Sequence, residues 1–253
     1  MDKVRIVPVA QIDLRRVPKP WTWAHANRPA IGAYLAKLRG RRPALFNGTL
    51  FLLHEWSLEN GIFRGALFES DFASFLAWRD QGYPDPSAFH CFGLGALRAS
   101  DGPVVLGLKA RHKARAGAID FLAGTPEPRD LRDDGEVEMT PSIMRKLNEQ
   151  TGLEPEDVQI VPGWHVATAG QRIGLVRSMI SPERCSALVA RVRSHMEMQR
   201  PLELADVVAV HGIADLQLAI PAIARAYLND VVLGRRKSIR APVFGRAERS
   251  LVS

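Results

Sequence analysis

Cysteine is almost missing from this chain of 253 residues, with Cys91 and Cys185 the only two. Two thiols make no disulfide framework, show no CxxC spacing and exclude an all-cysteine zinc site, so a reducing cytoplasm is the expected location. No apolar run reaches the length needed to span a bilayer, which argues against a membrane partner. The opening stretch MDKVRIVPVAQIDLRR lacks both a long apolar segment and a small-residue cleavage site, so no secretory signal is expected. Internal repeats and low-complexity blocks are also absent, as are GxSxG, Walker-type and HExxH motifs. What is present is ordinary globular composition: 46% apolar and 24% charged residues, enough for one substantial core with an appendage.

The formal charge of +7 is unevenly placed. Residues 234–253 hold six basic side chains (Arg235, Arg236, Lys237, Arg240, Arg246, Arg249) against one acid, Glu248, so this tail carries +5 and residues 1–233 only +2. Nucleic-acid recognition needs a basic patch interleaved with aromatic rings. The tail offers one ring, Phe244. A solvated tail is therefore expected, and a nucleic-acid partner is not.

Along the chain, VRIVPVA reads as a short strand. From Asn27 onward, Ile31, Tyr34, Leu35 and Leu38 recur at helical spacing, with Gly40 as the stop. Strands over 45–54 and 62–68 form a hairpin through Asn60-Gly61. Asp71 can cap the next helix, where Phe72, Phe75, Leu76 and Arg79 share a face. The proline-bearing YPDPSAF marks a boundary, giving an N-terminal α+β extension over 1–89, a second unit over 90–233 and the basic tail over 234–253. In the second unit, short strands are predicted over 91–98, 103–110 and 117–122, the first two joined at Ser100-Asp101-Gly102. A helix, two strands around Ala169-Gly170 and a second helix with Ser181 as cap and Pro182 at its first position follow. A strand in ELADVVAVHG and a terminal helix interrupted near Pro221 complete the pattern. Mixed strands with single helices between them indicate an α/β sandwich, not a regularly alternating parallel sheet.

The stretch PSIMRKLNEQTGL, 141–153, carries the chemistry. Thr140 is a natural cap, Pro141 suits the first turn and Gly152 suits the left-handed position after the last turn. At 100° per residue, Ile143, Met144 and Leu147 share one arc, while Arg145, Lys146, Glu149 and Gln150 share the opposite one. One face can pack on a sheet while the other presents polar groups to a cleft.

Arg145-Lys146-Leu147-Asn148-Glu149-Gln150-Thr151-Gly152-Leu153 resembles the Nudix box, whose loop–helix–loop ends in Arg-Glu-apolar-x-Glu-Glu-x-Gly-apolar. Upstream, AGAIDFLAGTPE looks like the strand and glycine turn that precede the box, with Gly124 in the part of its first glycine and an insertion before the helix. The hairpin containing LFNGTLFLL resembles the N-terminal extension of certain Nudix proteins, UDP-sugar-hydrolysing ones among them. The resemblance implies a Nudix-like α/β/α sandwich with a mixed sheet. It implies cleavage of a pyrophosphate bond in a nucleoside diphosphate linked to another moiety, a nucleotide sugar for example, with Mg2+ or Mn2+ as cofactor.

On that resemblance the catalytic residues are Glu149, Arg145 and Glu138, and the metal ligands Glu149, Glu136 and Glu138. Lys146, Gly124 and Glu127 face the substrate, and Trp164 is a candidate to stack on its base or sugar. Glu203 and Asp206 are further candidates for a general base, and RHKARAG (111–117) for a phosphate contact. The family carries carboxylates where Lys146 and Gln150 stand, a loss of two negative charges and a gain of one positive. Lys146 can neutralise Glu149 or touch a phosphate directly as a point charge. The alternative is therefore a module that has lost catalysis and keeps a cleft for a nucleotide or nucleotide sugar. A small nucleotide-type ligand is the expected partner on either reading, with a homodimer left open.

Overall fold

The computed structural model describes residues 3–41, 45–110, 117–199, 203–217 and 219–234. The basic turn at 111–116 and the tail from 235 lie outside them. In chain order the first strands are β1 (Arg5–Val9), β2 (Gln11–Arg16), β3 (Thr49–Glu59) and β4 (Ile62–Asp71), with helices α1 (Thr22–Ala26), α2 (Arg28–Arg41) and α3 (Phe72–Asp80). Then come β5 (His90–Arg98), β6 (Val104–Lys109), β7 (Ile119–Asp120), β8 (Leu122–Gly124) and α4 (Met139–Thr151). The chain continues through β9 (Gln159–Ile160), β10 (Trp164–Ala169), β11 (Arg172–Ile180), α5 (Cys185–Met198), β12 (Leu204–Val210) and α6 (Ala222–Tyr227). No described helix is long and apolar enough to cross a membrane.

The larger sheet runs β1-β10-β11-β5-β6-β12. β11 and β5 are parallel and the other neighbours antiparallel, so the sheet is mixed. Alternation along β5 sorts its residues between two faces. Cys91 and Leu97 join Ile143, Leu147, Leu188 and Val192 of α4 and α5 in one core. Phe92, Leu94 and Ala96 face the other way, onto Ile223, Ala224 and Tyr227 of α6. The result is the α/β/α sandwich expected from the sequence. The smaller sheet, β2-β4-β3, packs against the N-terminal helices around Trp21, Leu52, Phe68 and Trp78.

Several local signals act as read. Asn60 and Gly61 take the positive φ values (52° and 72°) of a tight hairpin turn. Asp71 accepts from Ser74 N at 3.0 Å and caps α3. Gly152 sits at φ 71° after α4, where a Cβ would also lie 2.4 Å from His195 Nδ1.

Other expectations are corrected. Thr140 lies inside the first turn of α4, not at its cap, because backbone pairing sets the helix entry: Leu131 bridges Val137, and Glu138 N donates to Asp130 O at 2.8 Å. Ser181 does not cap α5 either. That helix begins at Cys185, whose N–H donates to Asp101 Oδ1 of the β5–β6 turn at 2.8 Å, a tertiary cap that a local reading misses. α2 runs through Gly40, and the strand expected at 117–122 is two short ones that pair with different partners.

The boundary expected at 89/90 does not separate two cores. β1 pairs with β10 in the larger sheet, and Leu14, Phe51, Leu53, Phe63 and Leu67 bury into the same core as α4.

α4 approaches β5 closely because β5 offers it no side chains where the two cross. A Cβ on Gly93 would lie 2.6 Å from Ile143 Cγ1, and one on Gly95 would lie 2.7 Å from Met179 Cε and 3.2 Å from Ile143 Cγ2. Gly93→Ala is accordingly expected to overpack this contact and cost about 1–3 kcal/mol in urea unfolding. An unchanged midpoint would contradict the close-approach account.

Candidate functional site

β5 and β6 pair only at Leu97–Val105 and Arg98–Val104, next to their shared turn. Further along they diverge, and the gap is filled by β7 on β6 and β8 on β5. A cavity of about 590 Å3 opens at this divergent end, between α3 and α4. Its size is that of an ordinary small-molecule site.

One wall is aromatic and comes partly from α3. The rings of Phe75 on α3 and His90 on β5 lie 4.6 Å apart between centroids, and His90 and Phe92 lie 4.7 Å apart. Guanidinium groups flank the row, Arg79 at 5.7 Å from the Phe75 ring and Arg172 at 5.8 Å from the Phe92 ring. The helical face of Phe72, Phe75 and Arg79 legible in the sequence thus lines the cavity.

The polar arc of α4 also lines it. Lys146 and Gln150, one turn apart, both line the cavity, whereas Arg145 and Glu149 do not. Gln150 is buried, with its Nε2 donating to Ala123 O at 3.4 Å and its Oε1 accepting from Lys109 Nζ at 3.5 Å. Gly124 also lines the cavity and makes room for the Lys146 stem: a Cβ there would lie 2.7 Å from Lys146 Cγ.

Behind Lys146 lies a compact ionic cluster. Its ammonium is 2.7 Å from Glu149 Oε2 and 3.6 Å from Glu127 Oε1. Arg129 Nη2 is 2.9 Å from Glu127 Oε1, and Arg129 Nη1 is 3.8 Å from Glu149 Oε1. Arg145 reaches three acids: Asp130 at 2.6 Å, Glu127 at 3.3 Å and Glu149 at 3.8 Å. Burial works against the charge on Arg145, but the Asp130, Glu127 and Glu149 carboxylates outweigh it and hold its pKa above the ordinary arginine value. The Asp130 side chain is fully buried and also accepts from Ser142 Oγ and Glu127 N, each at 2.9 Å.

The sequence-derived candidates therefore separate. Glu149, Arg145, Lys146, Glu127 and Gly124 come together. Glu138 does not join them: it flanks the N-terminus of α4 and pairs with Arg132 at 3.3 Å. Eleven residues of helix place it about 16 Å along the axis from Glu149, too far to share an ion. Glu136 is held in the same loop, its N–H donating to Asp134 Oδ1 at 3.1 Å and its carbonyl accepting from Arg132 N at 2.8 Å. The proposed trio of Glu149, Glu136 and Glu138 is thus not a metal site in this geometry. Trp164 is buried in the core beneath Arg177, whose guanidinium lies 4.6 Å from its ring, and does not line the cavity. Of the two later acids, Glu203 lines the cavity, while Asp206 pairs with Arg193 at 2.9 Å.

A divalent cation such as Mg2+ asks for about six oxygen ligands with net negative charge around them. Glu149 and Glu127 are the acids placed to begin such a set, but Lys146, Arg129 and Arg145 already answer their charge. Among the described residues no group of three or more His, Cys, Asp or Glu side chains is arranged to hold an ion. The donor set does not fit a divalent metal as it stands. A cysteine nucleophile is no better supported, since burial pushes the Cys91 thiol up to about 12 and Cys185 is buried as well.

Sequence reading missed Asp130 as the partner of Arg145, although Glu127-Pro128-Arg129-Asp130 carries the turn signature of a proline at the first position. His90, Phe92, Lys109 and Arg172 were missed because nothing in their local sequence marks them; the parallel pairing of β11 with β5 sets Arg172 beside His90, and β6 brings Lys109 to the same cavity. Asp130→Ala should leave Arg145 and Glu127 N without their buried acceptor and cost about 3 kcal/mol in urea unfolding. Asp133→Ala, in the same loop, is the matched control.

No family model matches the chain, and no curated protein does. Solved structures that match include the E. coli ORF135 protein, at 15% identity over 59% of this chain and 96% of that one, with a TM-score of 0.37. The MutT protein of Methanosarcina mazei matches at 14% identity over 56% of this chain and 91% of that one (TM-score 0.36). RenU, a Nudix hydrolase from M. smegmatis, matches at 17% identity over 55% and 82% (TM-score 0.33). At these identities and TM-scores, function has to be read from the chain's own residues.

Proposed function

We propose that this chain is a Nudix-like module that binds a nucleotide-type ligand, a nucleoside diphosphate or nucleotide sugar in class, in the cavity between α3 and α4. The observation that carries the reading is that one cavity is lined both by a row of rings, Phe75, His90 and Phe92, and by the polar side chains of Lys146, Gln150 and Lys109. A planar base has rings to pack on. A phosphate has the Lys146 ammonium as a point charge, with the Gln150 amide beside it.

Hydrolysis of a pyrophosphate bond with Mg2+ or Mn2+ is the second reading. It is favoured by the retained Arg145–Glu149 contact, 3.8 Å, at positions matching the box. It requires Lys146 to leave Glu149 first, because that carboxylate is already paired at 2.7 Å.

Thermal stabilisation across a panel of nucleoside diphosphates and nucleotide sugars tests the binding reading. At least one member should raise the melting temperature. Phe75→Leu, which keeps apolar volume and removes the ring, should weaken that ligand about tenfold, within the range of base–aromatic stacking. A panel without a hit would sink the reading. Turnover in Mg2+ or Mn2+ that Glu149→Gln abolishes would replace it with the hydrolase.

A further inference from the structure

We propose that Lys146 is the resident cation of this site: it occupies, from within the chain, the place between Glu149 and Glu127 that a divalent ion would need, and it contacts a phosphate or diphosphate group in the cavity directly. The inference deepens the nucleotide-binding reading and concerns only its anionic half.

Three observations support it independently of any ligand. First, the Lys146 ammonium lies within ion-pair distance of both carboxylates, 2.7 Å from Glu149 and 3.6 Å from Glu127. Second, Lys146 lines the cavity and Glu149 and Glu127 do not; the acids that do, Asp80, Asp120 and Glu203, lie elsewhere in the sequence than this pair. Third, the lysine is seated along its length. Gly124 leaves open the strip on which its stem lies, and even one methyl group there would come within 2.7 Å of Cγ.

A metal bound by Glu149 and Glu127 would put like charge beside Lys146, Arg129 and Arg145, all within 4 Å of those carboxylates. A phosphate oxygen at the cavity side of Lys146 has the opposite relation to that charge. It adds an anion next to an ammonium whose remaining donors can turn toward it. Lys109, 3.5 Å from Gln150 Oε1, supplies a second positive charge to the lining of the same cavity.

The test uses inorganic pyrophosphate and Mn2+ on the full chain. Wild-type protein should bind pyrophosphate in EDTA by calorimetry, unaided by Mg2+. Lys146→Met, which keeps the stem on Gly124 and removes the charge, should weaken that binding about tenfold or more. Lys146→Glu should instead bind Mn2+ by electron paramagnetic resonance and take up pyrophosphate only with it. Circular dichroism of both variants confirms folding. Pyrophosphate binding that needs Mg2+ in the wild type, or that Lys146→Met leaves unchanged, would overturn the proposal. So would equal Mn2+ binding by wild type and Lys146→Glu, including none by either. Pyrophosphate binding with no preference for nucleosides would reject the nucleotide reading alone. Nucleotide binding that strictly requires Mg2+ would reject this inference alone.

Discussion

The close seating of α4 on β5 and β8 is the constraint on which the site depends. Gly93 and Gly95 let Ile143 sit almost on the β5 backbone, and Gly124 lets the stem of Lys146 lie along β8. With the apolar arc pressed down in this way, the polar arc has one place to go. It divides between the cavity, which receives Lys146 and Gln150, and the ionic cluster, which receives Arg145 and Glu149. A helix held a side chain further from the sheet would not present those residues to the same space.

Charge balance is the second organising term. Asp130 is buried and anchors Arg145; Arg145, Arg129 and Lys146 then neutralise Glu127 and Glu149. With Lys146 and Gln150 at their positions on α4, the charges of this cluster are answered within the chain. In a partly buried setting, each of these charges is tolerated because the others accompany it.

The N-terminal segment belongs to this arrangement. β1 completes the edge of the larger sheet, and the hairpin β3–β4 buries Phe51, Leu53 and Phe63 into the core beneath α4. α3, which follows that hairpin, brings Phe75 and Arg79 to the cavity that Lys146 also lines. α3 and the turn after it therefore contribute Phe72, Phe75, Arg79, Asp80 and Tyr83 to the cavity lining.

Much of this was legible in the sequence wherever the signal was local. The apolar arc of α4, the left-handed turn at Gly152, the Asn60-Gly61 hairpin, the Asp71 cap and the alternation of short strands each follow from dihedral preferences or periodicity within a few residues. Thr140 and Ser181 misled because their helices begin where the backbone is paired by distant segments, Asp130 O for one and Asp101 for the other. Glu138 stands upstream of the 141–153 stretch, just before α4, and a helix rise of 1.5 Å per residue separates it from Glu149. The sequence by itself determined which side chains α4 offers, and with them the sign of the charge on its polar face. Only the tertiary structure decided what that face meets. The cavity exists because two strands diverge and a helix from a remote segment closes over the gap, contacts that no local pattern specifies.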